Sequence, residues 1–234
     1  MKEEIKYKYL VRSNVKESHD VSTLRLVLAD GSVPEFISGQ YVNIYFPESG
    51  TPEGKAYSIS NIPEEETMNL TVKAMGEFSN RLISLQEGEV VTGSLPYGYF
   101  YSESAETTLI LIAAGIGITP FCSIIKDALK KNSKRKITLL YSNKTEMDII
   151  FRKEFDDLQH THQTFKVIYF ITREEVVKDM VKGRIGTRSL APCIEKGAEY
   201  MICGGISFTR DIWRLLKELG VGEENIYTEA FFSH

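Results

Sequence analysis

A glycine-rich turn is the segment whose residue types and spacing most directly indicate ligand binding. Gly115, Gly117 and the pair Thr119-Pro120 come directly after a uniformly apolar stretch, residues 109–114. Glycines in such a turn let backbone N–H groups approach a pyrophosphate, and the N-terminus of the following helix favours negative charge. The third glycine of the pattern G-x-G-x-x-G is missing, because Pro120 stands there. A tight strand-to-helix connection without a ligand is the alternative interpretation.

The cysteines and histidines do not form a pattern typical of a metal site or a disulfide framework. Cys122, Cys193 and Cys203 are far apart in the sequence and have no C-x-x-C spacing. His160 and His162 form an isolated H-x-H without carboxylate or cysteine partners in a pattern. We therefore expect intracellular free thiols and no metal ion.

The composition argues against several classes of protein. The 234 residues include 28 Lys and Arg against 32 Asp and Glu, a formal net charge of −4 with both signs mixed along the chain. No basic stripe is available to neutralise nucleic-acid phosphates. The longest apolar run is far shorter than the ~20 residues that span a bilayer, and the charged N-terminus is unlike a signal peptide. We expect a cytoplasmic protein with no nucleic-acid partner and no membrane span.

The first hundred residues have the pattern of β-strands. Apolar residues occupy every second position in residues 23–28 and 68–74, as in strands that bury one face. Turn residues separate further strand candidates, which lie at 6–11, 41–46, 56–60 and 90–94. Several short strands without a long helix predict a small antiparallel Greek-key β-barrel.

Beyond about residue 102 the sequence alternates strands with helices. Apolar stretches at 109–114, 137–141, 167–171 and 200–203 predict strands covered on both faces. Thr119-Pro120 is typical of a helix start, and helical stretches follow at 147–158 and 208–219. This alternation predicts a doubly wound parallel sheet. The fold class is therefore β plus α/β, with domains at residues 1–102 and 103–234.

Six short motifs, in one order along nearly the whole chain, resemble those of the ferredoxin–NADP reductase superfamily. The family patterns are R-x-Y-[ST], G-x-x-S-x-x-L, G-P-x-G-x-F, G-x-G-x-[ST]-P, C-G-x-x and a terminal E-x-F. The corresponding segments are Lys55-Ala56-Tyr57-Ser58, Gly76-Glu77-Phe78-Ser79-Asn80-Arg81-Leu82, Leu95-Pro96-Tyr97-Gly98-Tyr99-Phe100, Gly115-Ile116-Gly117-Ile118-Thr119-Pro120, Cys203-Gly204-Gly205-Ile206 and Glu229-Ala230-Phe231. The resemblance implies a flavin-binding barrel followed by a nicotinamide-binding sheet.

The resemblance also implies the residues of the flavin site. Tyr57 would pack on the isoalloxazine ring, and Ser58 would place its hydroxyl near flavin N5 as a catalytic residue. The flavin phosphate would be held by residues of the second motif, namely Gly76, Phe78, Ser79 and Asn80. Lys55, followed by Ala56, departs from the arginine that is usual in the family. Because lysine loses the bidentate geometry of arginine, we expect a flavin held less tightly than is usual.

The nicotinamide site is implied in the same way. Its cofactor-binding residues would be Gly115, Gly117, Thr119 and Pro120, together with Gly204. Cys203 would lie beside the nicotinamide and Glu229 would approach the flavin, both as catalytic residues. An aromatic residue near the end of the chain, Phe231 or Phe232, would cover the flavin ring. A buried core position is the alternative for Cys203 and for either phenylalanine.

The choice between NADH and NADPH depends on one charged segment. Thr172-Arg173-Glu174 follows the third parallel strand and resembles the S-R-[ED] of NADPH-using members, in which the arginine holds the 2′-phosphate. Lys144 and Arg184 are possible assistants, and a solvated loop is the alternative. The resemblance favours FAD over FMN as the flavin and leaves NADH and NADPH both open as hydride donors.

The resemblance implies a flavoprotein oxidoreductase. Hydride would pass from NAD(P)H to bound FAD, and electrons would then leave to a protein acceptor such as a ferredoxin. Two alternatives stay open. Lys55 favours a flavin reductase that releases reduced flavin. The departure at Gly205, where the family has proline, favours a non-catalytic flavin-binding electron-transfer subunit.

Overall fold

A computed structural model of the chain describes residues 6–46, 48, 50–51, 53–132, 134–176 and 179–231. The described chain divides into two compact units, the first extending to Tyr101 and the second containing most of the residues from Ser102 onward. Each unit is built around one six-stranded sheet.

The first unit is an antiparallel sheet that curls back on itself. Its six strands are β1 (Tyr7–Lys16), β2 (Val21–Leu28), β3 (Tyr41–Tyr45), β4 (Lys55–Ser58), β5 (Met68–Lys73) and β6 (Val90–Gly93). They lie in the order β4-β3-β6-β1-β2-β5. An isolated antiparallel bridge between Ile59 and Leu70 joins the residue after β4 to β5, the strand at the opposite edge. The predicted antiparallel barrel is thereby confirmed.

Strand β5 differs in burial from the half-buried strand that its alternation predicts. Both sets of side chains are buried, because the polar residues find partners inside the barrel. The Thr71 hydroxyl lies 2.8 Å from the hydroxyls of Thr23 and Ser60. The backbone N–H of Asn69 donates to the Asn61 side chain at 2.8 Å. A buried polar side chain is tolerated when it is hydrogen-bonded in this way.

A helix in the first unit, α1 (Glu77–Ser84), was not predicted. Residues 76–80, the part of the second motif expected to hold the flavin phosphate, form its start, and Gly76 is its N-cap. Phe78 and Leu82, four positions apart, pack into the barrel core. The Asn14 side-chain amide donates to the carbonyls of Ile83 and Leu85 at 2.8 Å, which satisfies the C-terminal end of the helix.

The second unit is a parallel sheet with helices between its strands. Its strands are β7 (Leu109–Ala114), β8 (Ile137–Asn143), β9 (Phe165–Ile171), β10 (Met180–Lys182), β11 (Glu199–Gly205) and β12 (Ile226–Phe231). Its α-helices are α2 (Thr119–Lys131), α3 (Arg152–Thr161), α4 (Thr187–Leu190) and α5 (Ile206–Glu218). The strand order is β10-β9-β8-β7-β11-β12, with all neighbours parallel. The predicted parallel α/β architecture is confirmed.

The strand order reverses between β7 and β11. From β7 the chain moves outward through β8, β9 and β10, and it then returns to place β11 on the other side of β7. In open parallel sheets, ligands bind beyond the carboxyl ends of the strands at such a reversal. The fold therefore marks the ends of β7 and β11 as a candidate binding position.

Three elements of this unit differ from their predictions. The helix predicted at 147–158 is interrupted, because Phe151 takes a left-handed conformation (φ 60°) between a 3₁₀ turn, Glu146–Asp148, and α3. The edge strands β10 and β12 were not predicted. No helix of the described residues is long and apolar enough to cross a membrane.

Candidate functional site

The Lys55-Ala56-Tyr57-Ser58 motif is the whole of β4. This strand pairs antiparallel with β3, with Tyr57 opposite Val42 and Ser58 opposite Tyr41. Because side chains alternate along a strand, Lys55 and Tyr57 share one face. Ser58 is buried, with 5% of its surface exposed. Burial also raises the pKa of the Tyr57 phenol, so it stays neutral over an even wider pH range than a free tyrosine.

Phe78 of α1 joins the two side chains of this face. Its ring lies 6.4 Å from the Tyr57 ring, centre to centre, at an interplanar angle of 23°. The Lys55 ammonium lies 5.6 Å from the centre of the same phenylalanine ring. The structure thus brings together residues from the first two motifs, which are separated by about twenty positions in the sequence.

The N-terminal turn of α1 is stabilised by its own serine. The Ser79 hydroxyl accepts hydrogen bonds from the N–H groups of Met75 (2.8 Å) and Gly76 (3.1 Å) and donates to the Gly76 carbonyl. The Asn80 side chain donates to that carbonyl as well, at 3.0 Å. Both side chains therefore shape the loop. The next N–H groups, at the start of the helix, have no acceptor within the helix, as at any helix N-terminus.

Gly76 leaves open space at the start of this helix. Its backbone is extended (φ 178°), and a Cβ built on it would meet no atom within 4 Å. The combination of open space, a helix N-terminus and a nearby lysine suits a phosphate group. The residues present therefore fit the phosphate of a flavin nucleotide.

The glycine-rich turn of the second unit lies at the reversal of strand order. Gly115 to Ile118 form a 3₁₀ turn directly after β7, and Thr119 and Pro120 begin α2. Gly117 packs against the end of β11, where an added Cβ would lie only 2.4 Å from the Cys203 carbonyl oxygen. Thr119 is buried and its hydroxyl donates to the Ile116 carbonyl at 3.1 Å. The turn is thus held directly against the Cys203-Gly204 segment.

Cys203 and Glu229 are direct neighbours across two strands. In the parallel pairing of β11 with β12, Cys203 is opposite Glu229, and Gly205 is opposite Phe231. On its other side Cys203 pairs with Ala113 of β7. Burial raises the pKa of the Cys203 thiol well above its usual value, and the Glu229 carboxylate adds to this effect. Cys203 is therefore a neutral thiol. Gly204 has no room for a side chain, because a Cβ would lie 2.8 Å from the Phe208 ring.

The segments after β8 and β9 are joined by hydrogen bonds. The Thr172 N–H and hydroxyl both donate to the Asn143 carbonyl at 3.1 Å, and the Arg173 N–H donates to the Lys144 carbonyl at 2.9 Å. The Glu174 carboxylate accepts the N–H of Glu146. We call residues 143–146 and 172–174 the paired loops. Their Lys144 and Arg173 side chains are exposed, and neither has an ion pair or hydrogen bond among the described residues.

Four further residues are placed as follows: Ala56 and Phe232 were predicted from the sequence, whereas Phe46 and Arg81 were not. Ala56 is exposed on β4, and Phe232 lies outside the described residues. Phe46 and Arg81 were not singled out from the sequence, although they extend the group around Phe78. The rings of Phe46 and Phe78 are 4.9 Å apart, and the Arg81 guanidinium carbon lies 4.2 Å above the Phe46 ring. Recognising α1 as a helix would have placed Arg81, at i+3, beside Phe78.

Comparison with known proteins assigns the two units separately. Residues 8–101 match the family described as Oxidoreductase FAD-binding domain, and residues 111–213 match the Oxidoreductase NAD-binding domain. The flavohemoprotein of Bacillus subtilis (strain 168) is 31% identical over 235 residues, which cover 95% of this chain and 58% of that protein. The chain thus spans about three fifths of the length of the flavohemoproteins it matches.

Solved structures give the same assignment. The flavohem-like FAD/NAD binding domain of nitric oxide dioxygenase from Vibrio cholerae O1 biovar El Tor is 27% identical, with a TM-score of 0.86 over 96% of this chain and 98% of that one. A ferredoxin NADP+ reductase from Neisseria gonorrhoeae has the same fold, with a TM-score of 0.82 over 97% of this chain and 99% of that chain at 18% identity. This chain therefore combines an oxidoreductase FAD-binding domain with an oxidoreductase NAD-binding domain, in the fold of the ferredoxin–NADP reductases.

Proposed function

We propose that this protein transfers hydride from NAD(P)H to FAD bound by residues 1–102, and passes the electrons on to a protein acceptor such as a ferredoxin. Residues 103–234 would bind the hydride donor. The observation that carries the proposal is the contact of Gly117 with the Cys203 backbone at the reversal of strand order. This contact joins the turn that suits a pyrophosphate to the end of β11, where Cys203 is level with Glu229 of β12.

On the flavin side, we assign Tyr57 to the face of the ring system and Ser58 to its reactive edge. FAD supplies the hydride-accepting chemistry when it is bound, and the protein supplies orientation and electrostatics. The neutral Tyr57 phenol offers a flat apolar contact with a polar tip. Lys55 and the N-terminus of α1, where Gly76 leaves open space, would hold the phosphate. Phe78, Ser79 and Asn80 would support that loop.

On the nicotinamide side, Gly115, Gly117 and the N-terminus of α2 would bind the pyrophosphate. Cys203, kept as a neutral thiol by burial, would lie against the nicotinamide without drawing a charge into the site. Glu229 would act from the neighbouring strand position, and Phe231 would cover the flavin ring. We assign Cys203, Glu229 and Ser58 as the catalytic residues.

Anaerobic titration tests this function. We expect NADH or NADPH to bleach the visible absorbance of FAD bound to the purified protein. Cys203→Ala should bind FAD normally but slow bleaching by about tenfold or more, which corresponds to at least about 1.4 kcal/mol of transition-state free energy. Cys193→Ala is the matched control and should bleach at the normal rate. This half-buried thiol lies in the 3₁₀ turn after α4, whose Cys193 carbonyl accepts from Tyr200 at the start of β11, and not at the strand end that carries Cys203.

Other outcomes of the same titration would reject this function. Bound FAD that neither donor bleaches would identify a non-catalytic electron-transfer subunit. Rapid bleaching followed by release of the reduced flavin would identify a flavin reductase. The position of Lys55, whose ammonium lies against the Phe78 ring, favours this second candidate because a lysine holds phosphate without a bidentate contact.

We further propose that Arg173 reads the 2′-phosphate of NADPH. The paired loops place Lys144 and Arg173 at the carboxyl ends of β8 and β9. Neighbouring strands lie about 4.8 Å apart, so β9 is about 10 Å from β7, the strand that leads into the glycine-rich turn. Arg173→Ala should raise the KM for NADPH by about tenfold, the loss of about 1.4 kcal/mol of charge-assisted hydrogen bonding. Steady-state kinetics with each donor is the measurement, and the KM for NADH is the internal control. An equal rise for both donors would contradict the assignment.

A further inference from the structure

Arg81 is a charged residue of the first unit that none of the assignments above uses. It lies in the second half of α1, and its guanidinium carbon is 4.2 Å above the centre of the Phe46 ring. One of its terminal nitrogens is 2.9 Å from a carboxylate oxygen of Glu48. The Arg81 side chain is 46% exposed and that of Glu48 is 69% exposed, so both charges are in contact with solvent.

The arginine and Lys55 each lie over one ring of the same aromatic pair. Phe46 and Phe78 are in contact at 4.9 Å, with the Arg81 guanidinium over the first and the Lys55 ammonium over the second. Side chains of an α-helix lean toward its N-terminus. Arg81 is four residues after Glu77, on the same helix face, so it extends toward the turn that begins at Gly76. Both cations therefore lie over the aromatic pair that Phe78 of α1 forms with Phe46.

The chemistry of the two cations is complementary. Lysine keeps a positive charge near the phosphate but has no planar pair of donors. A guanidinium supplies that pair and binds a phosphate with two parallel hydrogen bonds. The contact of Arg81 with Glu48 is an ion pair between exposed side chains, a type that contributes little to stability and is weakened by salt. A phosphate at the helix N-terminus can therefore displace it.

We propose that Arg81 is a further flavin-phosphate ligand, which leaves Glu48 when the flavin nucleotide binds and supplies the guanidinium that position 55 lacks. Glu48 then acts as a competitor for Arg81 and lowers the affinity for the flavin. The inference rests on the proposed function in one respect, namely that the first unit holds a flavin nucleotide at the N-terminus of α1.

Equilibrium titration of the full chain with FAD, FMN and riboflavin tests the proposal. Arg81→Ala should weaken the binding of FAD and FMN by about tenfold or more and leave riboflavin, which has no phosphate, unchanged. Glu48→Gln should instead tighten FAD and FMN binding by about two- to fivefold, because Arg81 is released from its pair. The double variant should bind like Arg81→Ala alone, since without Arg81 the carboxylate has nothing to compete for. The matched control is Arg12→Ala, which removes an exposed arginine of β1 and should change none of the three affinities.

Four results would overturn the proposal. An Arg81→Ala variant that binds FAD as the wild type does would remove Arg81 from the site. An equal loss of riboflavin affinity in Arg81→Ala would show that Arg81 supports the fold through Phe46. A lower melting temperature in Arg81→Ala, with both the melting temperature and riboflavin binding restored in Arg81→Lys, would show the same. A wild-type chain that binds none of the three flavins would reject the flavin site itself, and with it the proposed function, so the two failures are distinguishable.

Discussion

Replacing Gly117 by alanine is expected to weaken NAD(P)H binding by about tenfold or more and to destabilise the second unit. The new Cβ would lie 2.4 Å from the Cys203 carbonyl oxygen, 2.6 Å from its carbonyl carbon and 2.8 Å from the Gly204 nitrogen. These are backbone atoms of a strand paired on both sides, so they cannot rotate away as a side chain could. The turn must shift instead. Overpacking of this kind costs about 1–3 kcal/mol of stability, and a displaced turn no longer offers its N–H groups correctly.

Thermal unfolding and donor titration measure the two parts of this effect. We expect the apparent affinity for NAD(P)H to fall by about tenfold or more, which corresponds to at least about 1.4 kcal/mol. Gly205→Ala is the matched control, because Gly205 directly follows the Cys203-Gly204 backbone that Gly117 contacts, but a Cβ there meets no atom within 4 Å at φ −68°. Normal donor affinity and stability in Gly117→Ala would show that the turn can move freely away from β11, which would remove the basis for the proposed site.

Replacing Tyr57 by alanine is expected to weaken flavin binding by about 10- to 100-fold. The ring is proposed to form the flat face on which the flavin stacks, and aromatic contacts of this size contribute about 1–3 kcal/mol including the buried area. Tyr57 also packs near Phe78, at 6.4 Å, so its removal leaves that phenylalanine less constrained. Fluorescence titration with FAD measures the affinity, and the visible spectrum of the bound flavin reports the lost ring contact.

Tyr57→Phe separates the ring from its hydroxyl. It keeps the stacking surface and removes a hydroxyl whose pKa is raised by burial. We therefore expect an affinity within about fivefold of the wild type, since only a single neutral hydrogen bond of about 1 kcal/mol or less is at stake. If Tyr57→Ala binds FAD with unchanged affinity and an unchanged spectrum, the stacking assignment is wrong and another surface of the barrel must hold the ring.

The strands that bury apolar side chains could be predicted from the sequence, because alternation and apolar runs are local properties. The segments 23–28, 68–74 and 109–114 are examples, and each corresponds closely to a strand. Strand β12 was missed because it is half-exposed and alternates weakly. Its place is decided by pairing with β11, a contact between distant parts of the chain. Strand β10 has only three residues, too few for a periodic pattern.

Helix α1 was missed for a different reason. Gly76 and a serine near the start are typical of a turn, and eight residues contain only two turns of apolar periodicity. The break at Phe151 could not be predicted either, because nothing in the local sequence requires a left-handed phenylalanine. Tertiary packing decides the case of α1. Phe78 and Leu82 anchor α1 to the barrel, and the Phe151 ring packs edge-on against Phe155.

The sequence motifs predict which residues form the candidate site, but they do not predict how these residues are arranged in space. The motif spacing indicates which residues belong to each half, but it does not indicate that Gly117 touches Cys203 or that Cys203 is level with Glu229. Both facts depend on strand order and register. Ser79 was predicted to help hold the flavin phosphate. Its hydroxyl is instead hydrogen-bonded within the loop that it stabilises, which the motif alone does not indicate.

The paired loops have a consequence for how donor preference can evolve. Their shape is maintained by backbone groups and by Glu174, while Lys144 and Arg173 project outward with no partner among the described residues. Substitutions at such exposed positions usually change stability by less than about 0.5 kcal/mol. A lineage can therefore exchange these charges without first acquiring a stabilising mutation, and under the role proposed for Arg173 its preference between NADH and NADPH would change with them. Position 117 allows no such exchange. Under the proposed function, a lineage can therefore change its preferred donor long before it can rebuild the turn that would bind that donor.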